Sequence, residues 1–344
     1  MKRAMNRRIF LLAVSGAAAG CMTENARRLN VYNWSDYVAR ETIPKFEREF
    51  GARIRYATYE SAEEMLAKAM TGNSGWDVAF PSNSYVQPMR EMDLLAPLDH
   101  KRLPNLRNLG KRFQSPPWDA TLQWSTPYMH GATGIVYSKQ APQPEGWQDL
   151  WMNKYQGRMT MLDDPAEVFA ACLKRLGDSV NSTAPPELES AEALAIRQKP
   201  LVRAYINAEV RDQLIAGDVL AAQSWSITAQ QAIDQSDRLA FVYPAEGFPL
   251  YCDSAAILRE SRRQELAHEF LNYLLRADVA AAIAREMRTA TTNEAARQLL
   301  PANDRENPTL YPTETILARG EWFKAMPPAA QRLRDRLWTQ IKSA

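Results

Sequence analysis

The sequence has few of the residues from which metal centres and disulfide frameworks are built. Its 344 residues include only three cysteines and three histidines, which are scattered without the spacing of a metal site. They are Cys21, Cys172, Cys252, His100, His130 and His268. We therefore expect no metal ion, and we expect Cys172 and Cys252 to be independent buried thiols.

Motifs of common enzyme classes are missing as well. The sequence contains no Gly-x-Ser-x-Gly nucleophile motif and no glycine-rich phosphate-binding loop. Asp164 and Glu167 offer a carboxylate pair such as a glycosidase uses, but those pairs normally face each other across the substrate from different elements. We therefore expect no cofactor and no enzymatic activity.

The chain also lacks a large excess of charge. It has 42 Lys and Arg residues against 40 Asp and Glu, and four of the basic residues fall within the first twenty positions, so the rest is slightly acidic. A body with this balance has no general attraction for nucleic acid. We therefore expect no nucleic-acid partner.

The first 21 residues have the layout of an export signal. A basic start is followed by a short apolar stretch at 9–14 and then by small residues up to Cys21. The apolar stretch is much shorter than the ~20 residues that span a bilayer. Residues 6–11 resemble a twin-arginine export motif. The pattern predicts export, with the signal over 1–21.

The end of this signal resembles a lipoprotein processing site. In Ala18-Ala19-Gly20-Cys21 the cysteine would become the lipid-carrying first residue, and a polar tether over 22–28 would follow. The alternative is plain cleavage near Ala19, which leaves Cys21 as an ordinary thiol. We therefore hypothesise that the protein contacts a membrane only through a lipid anchor on Cys21.

Length and alternating segments predict a two-lobed α/β protein. Chains beyond roughly 250–300 residues usually divide into domains, and strand-like and helix-like stretches alternate along the chain. The predicted strands are 29–33, 52–59, 76–80, 134–137, 158–162, 220–224, 239–243 and 254–258, the last preceded by a turn-rich stretch. The predicted helices are 43–50, 62–70, 86–92, 166–176, a helical pattern over 264–287, and 329–341. In the last helix, Arg332, Arg334 and Arg336 are interpreted as a solvated face.

Aromatic and acidic residues gather beside five of the predicted strands. Ligands of open α/β sheets bind outside the carboxyl ends of strands, and no lysine or arginine lies immediately beside these positions. The candidate residues are Trp34, Ser35, Asp36, Tyr37, Ser82, Tyr85, Asp164, Glu167, Trp225, Tyr251 and Asp253. Carboxylates compensate the cost of burying an ammonium group, and aromatic faces attract cations. The pattern favours a cationic ligand with an apolar stem.

Several of these residues also have structural interpretations. Asp164 is a good N-cap for the helix that follows, and Glu167 suits the first turn of that helix. Trp225 is as easily explained by core packing, and Asp36 by a cap. The binding hypothesis depends on the convergence of all the positions.

Several stretches in sequence order carry a family resemblance. They are 32–37 (YNWSDY), Asp77-Val78 with Pro81-Ser82, 164–169, Asp253-Ser254, 270–279 and 310–312. From Leu29 to Lys342 the sequence resembles the periplasmic polyamine-binding proteins, which deliver spermidine or putrescine to ATP-driven importers.

The resemblance implies a type II periplasmic binding protein fold. Two α/β lobes would enclose a ligand cleft and be joined by a hinge of crossing strands. Lobe 1 would comprise 29–131 plus 253–300, and lobe 2 would comprise 132–252 plus 301–344. The protein is expected to act as a monomer.

The resemblance also implies roles for the candidate residues. Glu167 matches the acid that binds one amine end, and Asp164 matches its partner in the spermidine binders. Trp225 matches the ring that stacks on the methylene stem, Asp253 the acid on the opposite side, and Tyr251 a further aromatic wall. The first-lobe wall would comprise Trp34, Ser35, Asp36, Tyr37, Ser82 and Tyr85.

Four positions depart from the family pattern. Thr289 stands where a tyrosine is usual, Thr228 replaces an aspartate of putrescine binders, and Phe323 replaces a glutamine of spermidine binders. Arg288 would bring a positive charge beside the site.

The resemblance implies a periplasmic protein that captures a polyamine of the putrescine or spermidine type. It would present this ligand to the membrane subunits of an ABC importer. The alternatives are a polyamine sensor that acts on a membrane receptor and a binder of another cationic amine.

Overall fold

The computed structural model describes residues 27–344. The predicted export signal over 1–21, Cys21 and most of the predicted tether lie outside the described residues. In the part that the structure describes, no helix is both long enough and apolar enough to cross a membrane.

Eleven strands occur within residues 27–344, and they form one sheet. They are β1 (Arg28–Trp34), β2 (Arg53–Tyr59), β3 (Val78–Ala79), β4 (Thr126–Ser138), β5 (Met159–Met161), β6 (Val202–Tyr205), β7 (Ala221–Trp225), β8 (Leu239–Val242), β9 (Phe248–Ile257), β10 (Ala290–Thr291) and β11 (Gly320–Trp322).

Fourteen α-helices surround this sheet in the described part of the chain. They are α1 (Thr42–Phe50), α2 (Ala62–Ala69), α3 (Asn83–Glu91), α4 (Lys111–Gln114), α5 (Pro165–Leu176), α6 (Pro185–Gln198), α7 (Val210–Ala216), α8 (Ser226–Ile233), α9 (Gln264–Leu274), α10 (Ala277–Met287), α11 (Glu294–Arg297), α12 (Ala302–Arg305), α13 (Glu314–Leu317) and α14 (Pro328–Ser343).

Two long antiparallel strands, β4 and β9, connect the halves of the molecule. The strand order is β2-β1-β3-β9-β4-β7-β5-β6, with β8 and β10 paired to β4 and β11 paired to β9. The carboxyl end of β9 pairs with β3, whereas the carboxyl end of β4 pairs with β7 and β8. Each strand therefore runs from one half of the sheet into the other.

Each half of the sheet has its own hydrophobic core. The core of the first lobe is built around Val31, Phe80 and Phe270, on β1, beside β3 and on α9. The core of the second lobe includes Trp147 and Phe169, together with residues of α6 and α14. The two-lobed α/β arrangement follows from this division. The boundaries predicted between 131 and 132 and between 252 and 253 fall within β4 and β9, and they stay predictions.

The crossing strands are where sequence-based expectation was least accurate. Residues 134–137 form only the end of β4, and the stretch before Ser254 expected to be turn-rich belongs to β9. Nearly every residue of both strands is buried, so neither strand alternates between polar and apolar residues as a half-exposed strand does. Pro127, Gly131 and Gly134 also resemble strand breakers in isolation.

The helical pattern over 264–287 is two helices. α9 ends at Leu274, and Arg276 takes an extended conformation with ψ 139° before α10 begins. The apolar periodicity continues across this break because both helices pack on the first core.

Candidate functional site

Asp253 lies on β9 where that strand crosses between the lobes. Its side chain is 3% exposed. Ser82 Oγ donates a hydrogen bond to Oδ1 at 2.5 Å, and Tyr37 OH donates to Oδ2 at 2.8 Å. Burial raises the pKa of Asp253 to about 6, and the two hydroxyl hydrogen bonds oppose that rise. Two neutral donors of the first lobe therefore fix the orientation of this carboxyl group.

The backbone beside Asp253 is irregular. β4 carries a β-bulge between Pro127 and Met129, and Met129 pairs with Asp253. Tyr128, the extra residue, donates its hydroxyl to the carbonyl oxygen of Tyr37. Bulges commonly re-aim side chains next to functional sites. Here the bulge brings β4 into contact with the loop that carries Tyr37.

Tyr251 lies two residues before Asp253, so both side chains point to the same face of β9. Burial is the main reason that the pKa of Tyr251 is raised, and the charges of Asp253 and Glu167 raise it further. The Tyr251 ring therefore lies near both acids. A Cβ atom at Gly131 would overlap the Tyr251 ring and come within 2.7 Å of Ser226 Oγ. A side chain at 131 would therefore displace the Tyr251 ring from this position. Sequence reasoning placed Tyr251 and Asp253 before a strand, whereas the structure places them within it.

Glu167 is the buried acid of the second lobe, and its side chain is 4% exposed. Its Oε1 accepts hydrogen bonds from Thr133 Oγ1 and from Trp225 Nε1, each at 2.9 Å. Its Oε2 is buried and has no hydrogen-bond partner among the described residues. Burial first, and then the charge of Asp164, raise the pKa of Glu167 to about 8. One oxygen of this carboxyl group is thus left without a hydrogen-bond partner in the described residues.

Local sequence explains why Glu167 points into the cleft. α5 begins at Pro165, and Asp164 caps it by accepting a hydrogen bond from the Glu167 backbone N–H at 3.1 Å. Gly177 ends the helix with φ 90°. The capped first turn fixes Glu167 beside β4 and β7, which supply the Thr133 and Trp225 donors. Asp164 therefore has the capping role that the sequence allowed.

Aromatic rings of the first lobe surround the Asp253 end of the cleft. The Trp34 ring centroid lies 4.6 Å from that of Tyr59 and 6.4 Å from that of Tyr37. Trp34 Nε1 donates to the Phe80 carbonyl oxygen at 3.0 Å, which anchors the indole. Trp34, Tyr37 and Ser82 are thus brought together with Asp253.

Other predicted wall residues lie nearer the rim. Asp36 is exposed, and Ser35 Oγ donates to Glu60 Oε1 at 2.5 Å. Tyr85 OH donates to Glu63 Oε1 at 2.6 Å. Burial raises the pKa of Asp164, and the charge of Glu63 raises it further. Glu63 of the first lobe therefore approaches Asp164 of the second lobe at this rim.

The four residues that depart from the family pattern are two buried threonines, a phenylalanine and an ion-paired arginine. Thr228 and Thr289 are buried, and Phe323 accepts a hydrogen bond from Asn83 Nδ2 at its backbone oxygen at 2.5 Å. Arg288 forms ion pairs with Asp234 and with Asp304, the latter at 2.7 Å. The positive charge expected beside the site is therefore paired with two carboxylates.

Sequence reasoning missed residues of the site that lie on unpredicted or misread elements. Thr133 belongs to the unpredicted part of β4, and Ser226 begins α8. Arg334 was interpreted as part of a solvated face but is 8% exposed. Its spacing from Ala330 and Leu337, which are also buried, was the available signal.

The cleft therefore combines two buried acids with aromatic rings. In residues 27–344 neither Asp253 nor Glu167 forms an ion pair with lysine or arginine, and the hydrogen-bond donors to both are neutral groups. Within the same residues no group of three or more potential metal ligands is arranged to hold a metal ion. A buried carboxyl group with a raised pKa gains most from a positively charged partner. The site is chemically suited to a cation that carries two positive ends.

The chain is similar over nearly its whole length to bacterial binding proteins. A spermidine/putrescine-binding periplasmic protein of Escherichia coli is 34% identical over 340 residues, which cover 97% of each chain. A putrescine/cadaverine-binding protein of Pseudomonas aeruginosa is 31% identical and covers 98% of this chain and 99% of its own. A structure from Listeria monocytogenes, described as a spermidine/putrescine ABC transporter, has a TM-score of 0.89 and 29% identity, covering 92% of this chain and 99% of its own.

These similarities confirm the two-lobed binding-protein fold with a cleft between its lobes. Residues 41–310 match the sequence profile of the family described as bacterial extracellular solute-binding protein. The chain belongs to the bacterial extracellular solute-binding proteins, a family of binders and not of enzymes.

Proposed function

We propose that this protein captures a polyamine in the cleft between its lobes and delivers it to the membrane subunits of an ABC importer. The observation that carries the proposal is the pair of buried carboxyl groups, Asp253 and Glu167, neither of which forms an ion pair with lysine or arginine in the described residues. An ammonium group at each would supply the counter-charge that lets these buried carboxyl groups ionise.

Each residue of the cleft has a defined role in this proposal. Asp253 accepts one ammonium group in the first lobe, and the free Oε2 of Glu167 accepts the other in the second. The Trp225 indole stays near Glu167 through its 2.9 Å hydrogen bond and stacks against the methylene stem. Tyr37 and Tyr251 supply aromatic walls, and Trp34 closes the first-lobe end.

The relatives support both the ligand class and the partner. Their names describe periplasmic binding of spermidine, putrescine or cadaverine, and the Listeria structure is described as part of an ABC transporter. A ligand that contacts both lobes favours the closed arrangement over the open one. The importer would then recognise the closed, loaded form in the periplasm.

Titration of the protein lacking residues 1–21 with putrescine, cadaverine, agmatine, spermidine and spermine tests this proposal. We expect micromolar or tighter affinity for at least one of these amines by calorimetry. 4-Amino-1-butanol, which has only one ammonium group, and butyrate, which has none, serve as control ligands and are expected to bind at least 100-fold more weakly. If none of these amines gives a binding heat, the proposal is contradicted and the ligand of this protein is of another class.

Affinity is also expected to depend on pH. The pKa of Asp253 is raised to about 6 and that of Glu167 to about 8, so the empty site binds protons that a cationic ligand must displace. Primary ammonium groups stay charged through this range. Affinity should therefore rise up to about tenfold per pH unit from pH 6 to pH 8 and then level off.

Calorimetry in buffers of different ionisation enthalpy measures the linked proton release. We expect about one proton to be released for each ligand bound at pH 7, mostly from Glu167. Affinity that is constant from pH 6 to pH 8 would show that neither acid contacts the ligand charge.

A further inference from the structure

A network of polar contacts joins the carboxyl ends of α8 and α10. Arg288, which caps the end of α10, donates from Nη2 to Asp234 Oδ1 at 3.1 Å and from Nη1 to Asp304 Oδ1 at 2.7 Å. Its Nε also donates to Asp234 Oδ2, so two nitrogen atoms of the guanidinium group bind this one carboxylate. Gln231 Nε2 donates to the carbonyl oxygen of Met287 at 3.0 Å. Three hydrogen bonds therefore connect the end of α8 with the end of α10.

The two helices belong to different lobes. α10 contributes Val279 and Ile283 to the core of the first lobe. α8 packs through Ala229 and Ala232 in another cluster, which includes Val136 in the second half of the sheet. The contacts between α8 and α10 are therefore contacts between the lobes.

Both helices are attached to β4, on opposite sides of the point where this strand crosses between the lobes. α10 is followed by β10, in which Ala290 pairs with His130 of β4. α8 follows β7, in which Trp225 pairs with Thr133 of β4. Only residues 131–132 of β4 lie between these two pairings. A bend of the crossing strand here, as in the hinge opening of a two-lobed protein, would move α8 relative to α10.

The backbone of Arg288 has an unfavourable conformation for an arginine. Its φ of 56° and ψ of 47° lie in the left-handed region, where a helix commonly ends on glycine. Other residues stay there only when their surroundings hold them. Asp304 does this from the first-lobe side, because Arg297 of α11, which packs against α10, donates to the carbonyl oxygen of the neighbouring Arg305 at 3.0 Å. The guanidinium group is thus oriented towards Asp234.

We infer that Arg288 is a positioning residue: with Asp234 and Gln231 it forms a latch between the lobes that favours the closed cleft. The latch is formed in an arrangement that buries Glu167 of the second lobe together with Asp253 of the first, which is the closed one. The inference rests on the proposed function and adds what holds the cleft shut. Arg288 acts through closure and not through contact with the ligand.

Such a latch changes affinity by changing the fraction of closed protein. When a ligand needs the closed cleft, its apparent affinity falls in proportion to that fraction. Isolated exposed ion pairs contribute little. The side chains of Arg288 and Asp234, however, are 26% and 32% exposed, and Asp304 makes the pair part of a network. Loss of the latch should therefore weaken the binding of every amine by the same factor.

The test compares Arg288→Gln with the wild type and with Arg285→Gln, which removes the same charge from an exposed position in the last turn of α10. Affinities and dissociation rates are measured for the two amines that the wild type binds most tightly. We expect Arg288→Gln to weaken both about fivefold, mainly through faster dissociation, and to leave their ratio within about twofold. Arg285→Gln should bind both amines as the wild type does. Small-angle X-ray scattering should give a larger radius of gyration for ligand-free Arg288→Gln than for the ligand-free wild type.

Arg288→Gly is the second variant, because glycine suits the left-handed backbone and removes the side chain without strain. It should lose as much affinity as Arg288→Gln in a protein that melts no earlier. An unchanged affinity or radius of gyration in the Arg288 variants, an unequal loss for the two amines, or an equal loss in Arg285→Gln would each overturn the inference. A wild type that binds no amine would instead contradict the proposed function, and the scattering comparison would still test the latch.

Discussion

Asp253→Asn is expected to weaken putrescine binding at least 100-fold while the protein stays folded. The asparagine amide still accepts one of the hydroxyl hydrogen bonds from Ser82 and Tyr37, so the local geometry has a partner on at least one side. The ligand ammonium group, however, would be buried without its counter-charge, which costs about 3–5 kcal/mol in broken buried pairs. Calorimetric titration at pH 8 measures the loss.

Asp77→Asn is the matched control for this variant. Asp77 is an equally buried first-lobe carboxylate, 2% exposed, but it accepts hydrogen bonds from the Asn30 backbone N–H and from Ser261 Oγ, within the lobe. We expect Asp77→Asn to lower the melting temperature and to leave affinity unchanged. An Asp253→Asn protein with wild-type affinity would remove Asp253 from the site.

Glu167→Gln is expected to stabilise the empty protein and to impair binding at the same time. The pKa of Glu167 is raised from 4.5 to about 8 in the folded protein. The folded state therefore keeps a proton that the unfolded chain loses, and stability falls as the pH rises from 4.5 towards 8. Glutamine removes that dependence while still accepting the hydrogen bonds of Thr133 and Trp225.

Denaturant unfolding of the ligand-free protein at pH 5 and pH 8 measures this effect. We expect Glu167→Gln to add about 4 kcal/mol to the free energy of unfolding at pH 8 and much less at pH 5. Affinity for putrescine at pH 8 should fall at least 100-fold. Glu189→Gln, at an exposed position of α6 in the same lobe, should change neither quantity. Equal stability of Glu167→Gln and wild type at both pH values would refute the buried, uncompensated state of Glu167.

Most of the peripheral elements could be predicted from sequence because each has a local signal. α5 has an aspartate cap, a proline in its first turn and a terminal glycine. The crossing strands have no such signal, because burial on both sides erases the alternation that identifies a strand. Their pairing connects residues far apart in sequence, so no window of sequence contains the evidence for it.

The candidate residues were predicted better than their surroundings. Asp253 and Glu167 were singled out by residue type and by family resemblance, but their donors lie on distant elements. Thr133 became visible only once β4 was seen to pass beside α5. Arg334 is a different case, because its position between Ala330 and Leu337 marked it as inward-facing, and the neighbouring arginines at 332 and 336 obscured that pattern.

The shared strands β4 and β9 also determine when this chain can fold. β3 pairs with β9 through Val78 and Ile257, positions about 180 residues apart. The first core therefore stays incomplete during synthesis until β9 has been made, and the second core lacks α14 until the last residues emerge. Such non-local pairing slows folding and leaves apolar surface exposed for longer. Neither lobe can complete its core before the other, so the two lobes complete their folding together.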